Sequence, residues 1–170
     1  MSNIHTPAAK TDKELFIKMV LSNWELQISR MNTLLGKLSD EELSAQTAPG
    51  RNTGVYLLGH LAAVSDGLFI LLGLGERLNP AMDEIFLRNP DNSGLEKPPL
   101  DEIRAYWDNV NPLLARQIAE IRTDEWFTRH TAVSQEDFEK EPHRNKLNIV
   151  INRTNHLSYH LGQLAYLAGK

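Results

Sequence analysis

The sequence predicts an all-α protein that folds as a four-helix bundle. Four long segments carry apolar residues at steps of three and four, capping residues or glycine and proline mark their ends, and the links between them are uneven in length. The chain has 170 residues, of which 41% are apolar and 24% charged, as is usual for one globular domain. We therefore expect a single domain over residues 1–170, with residues 1–11 as an N-terminal tail.

The first long helix is predicted from Asp12 to Leu35, because Thr11 can cap its start and Gly36 can end it. Ser39 followed by Glu42 forms a capping-box pattern and predicts a short helix up to about residue 45. The apolar stripe of the long helix is predicted to consist of Phe16, Met19, Val20, Trp24, Ile28, Met31 and Leu35.

The second long helix is predicted to begin after Asn52 or Thr53 and to run to about Leu72. Because it is apolar on nearly all sides, it is either a membrane span or the central helix of a core. His60 and Asp66 lie inside it, and a single span has no evident purpose in an otherwise amphipathic chain. We therefore expect a core helix and no membrane partner.

The rest of the chain is predicted as two links and two helices. Residues 76–99 contain several prolines, with one short helix predicted at 82–87, and a link of this length is either functional or crosses a bundle from end to end. A third helix follows from Leu100 or Asp101 to Ile121, with a kink expected at Pro112. Residues 123–144 are polar, with a helical turn expected near 124–128 and an extended piece at 130–133, and the last helix spans Asn145 to Ala168.

Composition limits the possible partners and ligands. The net charge of −4 gives no electrostatic reason to expect nucleic acid or an anionic membrane surface as a partner. The chain contains no cysteine, so any metal must be held by nitrogen and oxygen ligands. The absence of cysteine also fits a reducing compartment, and residues 1–11 lack the pattern of a secretory signal, so we expect a cytoplasmic protein.

Three histidines are the candidate metal ligands. His156 and His160 lie four residues apart, which places both imidazoles on one face of the last helix, while His60 lies in the most apolar helix and needs a buried partner. Three neutral imidazoles would leave coordination positions of a divalent ion, such as zinc or nickel, open for water or substrate. The nucleophile would then be a metal-bound water or thiol. The H-E-x-x-H protease pattern is absent, because Leu157 occupies the glutamate position.

Further residues are predicted to line a pocket beside these histidines: Trp24 in the first helix, and Asn152, Arg153, Tyr159 and Gln163 in the last. Arg153 would suit a carboxylate, which it can bind through two parallel hydrogen bonds. The alternatives are core packing for the aromatic side chains and a solvated or ion-paired position for Arg153.

The chain resembles the DinB/YfiT-like superfamily in two stretches. The first is APGRNTG at residues 48–54 leading into LLGHL at 57–61, and the second is NHLSYHLGQ at 155–163. The resemblance implies a four-helix bundle of unusual topology, often dimeric, with a divalent metal on His60, His156 and His160. It also implies that some relatives are S-transferases or isomerases that use a low-molecular-weight thiol such as bacillithiol or mycothiol.

Several functional hypotheses follow. The first is a metal-dependent enzyme that transfers a small-molecule thiol to an electrophilic substrate through a metal-activated thiolate, and that forms a homodimer. The residues alone equally allow a metal-dependent hydrolase. The others are a non-enzymatic metal-binding or stress-associated bundle, and a purely structural bundle in which the histidines bond to one another.

Overall fold

Four long and three short α-helices make up the fold in the computed structural model, which describes residues 11–169. The helices are α1 (Asp12–Leu35), α2 (Asp40–Ser44), α3 (Gly54–Leu72), α4 (Met82–Phe86), α5 (Leu100–Ala119), α6 (Gln135–Lys140) and α7 (Lys146–Ala165), and a 3-10 helix spans Thr123–Phe127. The described residues contain no β-strand, so the predicted all-α class is confirmed. The predicted tail lies outside the described residues except for Thr11, which caps α1.

Helices α1 and α7 run in the same direction. Lys13 at the start of α1 pairs with Asp124 of the 3-10 helix at 3.2 Å. The backbone N–H of Lys146, at the start of α7, donates to the carbonyl of Thr128 at 3.0 Å. Both helices therefore begin at the end of the bundle that holds the 3-10 helix.

Helices α3 and α5 both run in the opposite direction. The start of α3 packs against the other end of the bundle, since a Cβ on Gly54 would lie 2.6 Å from Leu167 and 2.7 Å from the carbonyl of Leu43. At the start of α5, Arg104 donates to the carbonyls of Leu35 and Leu38 at 3.3 and 3.2 Å. Since α3 and α5 begin at the same end, residues 73–99 return along the whole bundle, as the predicted crossover requires.

The crossover, residues 73–99, runs antiparallel to α3 and forms hydrogen bonds with successive turns of that helix. Its contacts with α3 move steadily toward the start of that helix: Arg77 with Ala63, Phe86 with His60, Asn89 with Tyr56, and Asp91 with Thr53. These contacts are hydrogen bonds of 2.6–2.8 Å. The crossover therefore forms part of the surroundings of His60.

Helix α3 is the central helix of the bundle. It packs against α5 and α7, and α7 packs against α1. It is the one described helix that is long and apolar enough to cross a membrane, but 67% of its most apolar stretch is buried inside the fold. Its apolar character is thus accounted for by core packing, as predicted.

The predicted apolar stripe of α1 is only partly correct. Trp24, Met31 and Leu35 are buried, but Phe16 and Met19 are 49% and 61% exposed. Helical geometry explains the error, because these two residues lie about 80° and 140° around the axis from Trp24. Neither therefore lies on the face that is centred on Trp24 and Met31.

Two predictions for residues 123–144 were wrong. Residues 130–133 form a turn in which Val133 donates to the carbonyl of His130 at 3.1 Å, and they are not extended. Helix α6 was not predicted. It is capped by Ser134, whose hydroxyl accepts from the N–H of Asp137 at 3.1 Å, and none of its residues is buried. A helix without a buried face produces no apolar periodicity from which to predict it.

Candidate metal centre

Three histidines meet at the interface between α3 and α7. Nε2 of His156 lies 3.2 Å from Nε2 of His60 and 3.0 Å from Nε2 of His160. All three side chains are half-buried, and their ligand atoms lie within 4.8 Å of one another. Within residues 11–169, no aspartate or glutamate joins this cluster. The structure thus brings together the three residues that the sequence singled out.

The opposite ring nitrogens of two of these histidines are held by acceptors. Nδ1 of His60 donates to the carbonyl of Phe86 at 2.8 Å, and Nδ1 of His160 donates to Oε1 of Gln163 at 2.7 Å. Since each Nδ1 carries the proton, each Nε2 of the neutral ring presents a lone pair to the centre of the cluster. This is the arrangement in which a metal-ligating histidine is oriented by a partner outside the coordination shell.

Neither tautomer of His156 provides a hydrogen bond for every ring nitrogen of the cluster. If its proton is on Nε2, that single proton is shared between two lone pairs at 3.2 and 3.0 Å. If its proton is on Nδ1, three lone pairs face one another, and Nδ1 is buried without a hydrogen-bond acceptor. A divalent cation would accept all three lone pairs, so this donor set fits a metal.

All three imidazoles are kept neutral. Burial lowers the pKa of His60, of His156 and of His160, and the charge of Arg153 lowers the first two further. The pKa of His156 falls to about 4, because its two histidine neighbours add to the effect of burial. Neutral imidazole is the form that ligates a metal, so the site is ready to bind one at neutral pH.

The sequence around His60 explains how the crossover reaches it. Gly59 precedes His60, and a Cβ at this position would overlap three carbons of the Phe86 ring. The ring of Tyr56 is stacked against the ring of His60, with centroids 6.2 Å apart. The small residue therefore permits the close approach that places the Phe86 carbonyl on Nδ1 of His60.

The structure places the other predicted site residues in different ways. Gln163 orients His160 and donates to the hydroxyl of Tyr159 at 3.3 Å, but the Tyr159 side chain is 64% exposed. Asn152 is exposed on α7. Arg153 is half-buried, one turn before His156.

Trp24 is not brought to the histidines. It is buried and lines a cleft of about 540 Å³ between α1 and α5, together with Trp107 and Asn111. The lining of this cleft includes none of the three histidines. The cleft lies between the two outer helices, whereas the metal centre lies between the inner pair, α3 and α7.

Two features of the site were missed in the sequence. The Phe86 carbonyl is a backbone group of the crossover, and no pattern of side chains in the sequence predicts its contact with His60. His130 was not among the predicted site residues, but its Nδ1 is buried without a partner, and burial and then the charges of Arg144 and Arg153 lower its pKa. The bridge between Arg129 and Asn145 brings this turn to the start of α7.

Comparison with known proteins identifies a family relationship. A family model described as the DinB superfamily matches residues 23–164, which include all three histidines. No curated protein matches the sequence.

Proposed function

Because the chain belongs to the DinB superfamily, we propose that it is a divalent-metal-dependent enzyme that transfers a low-molecular-weight thiol to an electrophilic small molecule. The observation that carries the metal-dependent part is the convergence of three neutral Nε2 atoms without a carboxylate among the described residues. The thiol part is supported by the family resemblance and by the chemistry of the ligand set. Zinc and nickel are the metals that best suit three imidazoles.

The three histidines leave room for an external ligand. Four-coordinate catalytic zinc sites use three protein ligands and keep the fourth position for water or substrate. Neutral imidazoles also leave the full positive charge of the ion in place, whereas carboxylate ligands would offset it. Since the chain contains no cysteine, a thiolate ligand has to come from another molecule.

The proposed reaction requires little from the protein beyond holding and orienting groups. A bound divalent cation supplies Lewis acidity, which lowers the pKa of a thiol so that the nucleophilic thiolate is available at neutral pH. The sulfur then forms a bond to an electrophilic carbon, the leaving group departs with the bonding electrons, and the thiol proton passes to solvent. Phe86 and Gln163 keep the Nε2 atoms of His60 and His160 directed at the centre of the site.

The proposal includes two further expectations about the setting of this reaction. A chain without cysteine suits the reducing cytoplasm, where low-molecular-weight thiols are kept reduced. A homodimer follows from the family resemblance.

Metal analysis followed by a thiol-transfer screen tests the proposed function. The purified protein should carry or take up about one divalent ion per chain. It should then couple bacillithiol, mycothiol, glutathione or cysteine to a fluorogenic bimane electrophile. His156→Ala should lose both metal and turnover, whereas His143→Ala, which changes an exposed histidine outside the cluster, should keep both.

The alternatives predict different results. Turnover retained by His156→Ala would contradict the proposal. Metal binding without thiol transfer would overturn the transferase assignment, and hydrolysis of ester or amide substrates by the same protein would favour the hydrolase. Failure of the wild-type protein to bind stoichiometric metal would favour a structural role for the hydrogen-bonded histidines.

A further inference from the structure

Arg153 has a guanidinium group for which the described protein provides no acceptor. Its Nε is buried without a hydrogen-bond partner, and the side chain makes no hydrogen bond or ion pair to any residue from 11 to 169. The two terminal nitrogens are not among the buried atoms that lack a partner. The ion-paired alternative considered for Arg153 is therefore not realised within the described residues.

Arg153 adds a positive charge close to the histidines. Burial lowers the pKa of His60, of His156 and of His130, and the charge of Arg153 lowers each of these pKa values further. The positive charge of Arg153 therefore lies close to all three rings. Arg144 adds to this effect at His130. Although the whole chain has a net charge of −4, helix α7 contains no aspartate or glutamate, and neither do residues 1–10.

A half-buried cation without a counter-ion has a cost, which a bound anion would remove. Burial lowers the pKa of Arg153, so removal of water from the guanidinium is not compensated by a protein carboxylate. A divalent ion on the three histidines would make the region still more positive. The described residues therefore leave a local charge imbalance that favours an anionic ligand beside the metal centre.

We infer that Arg153 binds the carboxylate of a small molecule that is held at the metal centre. The inference rests on the proposed function, and it names the substrate class of that same site. Arg153 lies three residues before His156, so the two side chains leave one face of α7 about one turn apart. A planar guanidinium can bind a carboxylate through two parallel hydrogen bonds, which fixes its orientation as well as its position.

Two kinds of molecule carry such a carboxylate. Cysteine and glutathione have carboxylates on the molecule that bears the thiol, and an electrophilic acceptor can carry one instead. In both cases Arg153 acts as a specificity-determining residue, since it selects molecules that are anionic a short distance from the reacting atom.

Three thiols with the same two-methylene link between the sulfur and the head group, but with head groups of different charge, provide the test: 3-mercaptopropionate, 2-mercaptoethanol and cysteamine. Binding to the cobalt-substituted protein is followed by the cobalt–thiolate charge-transfer absorption, a readout that does not depend on turnover. Wild-type protein should bind 3-mercaptopropionate at least about tenfold more tightly than 2-mercaptoethanol, and cysteamine most weakly. Arg153→Gln should abolish this order, and Arg153→Lys should keep part of it.

Arg144→Gln is the matched control. Arg144 is a neighbouring guanidinium that already pairs with Glu141 at 3.2 Å, so its removal should leave the order of the thiols unchanged. If Arg144→Gln weakens the preference as much as Arg153→Gln does, the preference arises from the general field and the assignment to Arg153 is overturned.

A second measurement locates the carboxylate and does not require the thiol chemistry. The side-chain Nε–H signal of Arg153, identified by its loss in Arg153→Lys, is followed by NMR while propionate is added to metal-free and to zinc-loaded protein.

If the thiols bind equally but propionate shifts this signal in the presence of 2-mercaptoethanol, the carboxylate belongs to the acceptor. If no thiol gives the cobalt absorption, the proposed function fails, and a propionate-induced shift in the metal-free protein still supports the anion site. Equal thiol affinities together with an unchanged signal would overturn the inference.

Discussion

Helix α3 carries a buried and a half-buried polar residue, Asp66 and His60, that contact the same crossover in different ways. The carboxylate of Asp66, which is 0% exposed, is fully occupied by protein groups. It accepts hydrogen bonds from the N–H groups of Leu78 and Asn79 at 2.7 and 3.1 Å and from the hydroxyl of Tyr106 at 2.7 Å, and it lies 3.5 Å from Nε of Arg77. His60, six residues earlier, uses one ring nitrogen on the crossover and turns the other toward two more histidines.

The difference separates a structural polar group from a functional one. Asp66 has a partner for each oxygen, and its contact with Tyr106, together with burial, raises the pKa of that hydroxyl well above its usual range. The ring nitrogens at the centre of the histidine cluster have more lone pairs than protons, and Arg153 beside the cluster has no counter-ion among residues 11–169. Satisfied groups hold the crossover on α3, whereas the unsatisfied ones could be satisfied by a metal ion and a ligand.

The largest expected effect is the loss of stability on replacing Asp66. Asp66→Ala leaves two backbone N–H groups and the Tyr106 hydroxyl without their acceptor and removes the carboxylate beside Arg77, so it should lower the free energy of unfolding by about 3–5 kcal/mol in urea denaturation. The metal affinity of the folded fraction should stay unchanged, since Asp66 contacts none of the histidines. Asp108→Ala, which removes an exposed acid from α5, should change stability by less than about 0.5 kcal/mol. Loss of metal from folded Asp66→Ala would show that the two regions are not independent.

Gly59→Ala should disturb both regions, because it acts at the contact between α3 and the crossover. The added methyl group would displace the buried Phe86 ring, which should lower the free energy of unfolding by about 1–3 kcal/mol. It should also weaken metal binding, measured by competition with a chromophoric chelator, by moving the carbonyl that orients His60. Gly67→Ala is the control, since its Cβ would meet nothing within 4 Å and an alanine there should stabilise α3 by about 0.5–1 kcal/mol. Unchanged metal affinity in Gly59→Ala would mean that the Phe86 carbonyl does not orient His60.

Gln163→Ala should affect the metal centre alone. Removing the acceptor of Nδ1 of His160 should weaken metal binding about 10–100-fold, with little change in the urea midpoint of the metal-free protein. Gln163→Glu keeps an acceptor oxygen and should restore most of the affinity. Equal affinities for the alanine variant and the wild-type protein would contradict the orienting role.

The pH dependence of stability is also expected to change. The folded-state pKa of His156 is about 4, below its value of about 6.5 in the unfolded chain. Between these values the unfolded chain binds more protons, so the free energy of unfolding of the metal-free protein falls as the pH is lowered from 6.5 toward 4. His156→Asn should make this fall less steep, whereas His143→Asn, at an exposed position, should leave it unchanged. An identical pH profile for His156→Asn would contradict the lowered pKa.

The sequence predicted the fold and the clustering of the three histidines better than it predicted the surroundings of that cluster. Capping residues and apolar periodicity located all four long helices, and the i, i+4 spacing of His156 and His160 placed them together. Trp24 could not be placed correctly, because an aromatic residue on an apolar face packs into whichever cleft the neighbouring helix leaves. The Phe86 carbonyl and the missing partner of Arg153 depend on the path of the crossover and on tertiary packing, which local pattern does not encode.

X-ray absorption spectroscopy at the zinc edge tests the central claim most directly, because it counts the ligands around the ion. A site with three histidine ligands and one open position should show about three imidazole nitrogens at about 2.0–2.1 Å and no sulfur in the zinc-loaded protein. One sulfur at about 2.3 Å should appear after a thiol is added. A shell that is closed by protein ligands and does not change with thiol would contradict the claim that this is an open catalytic centre.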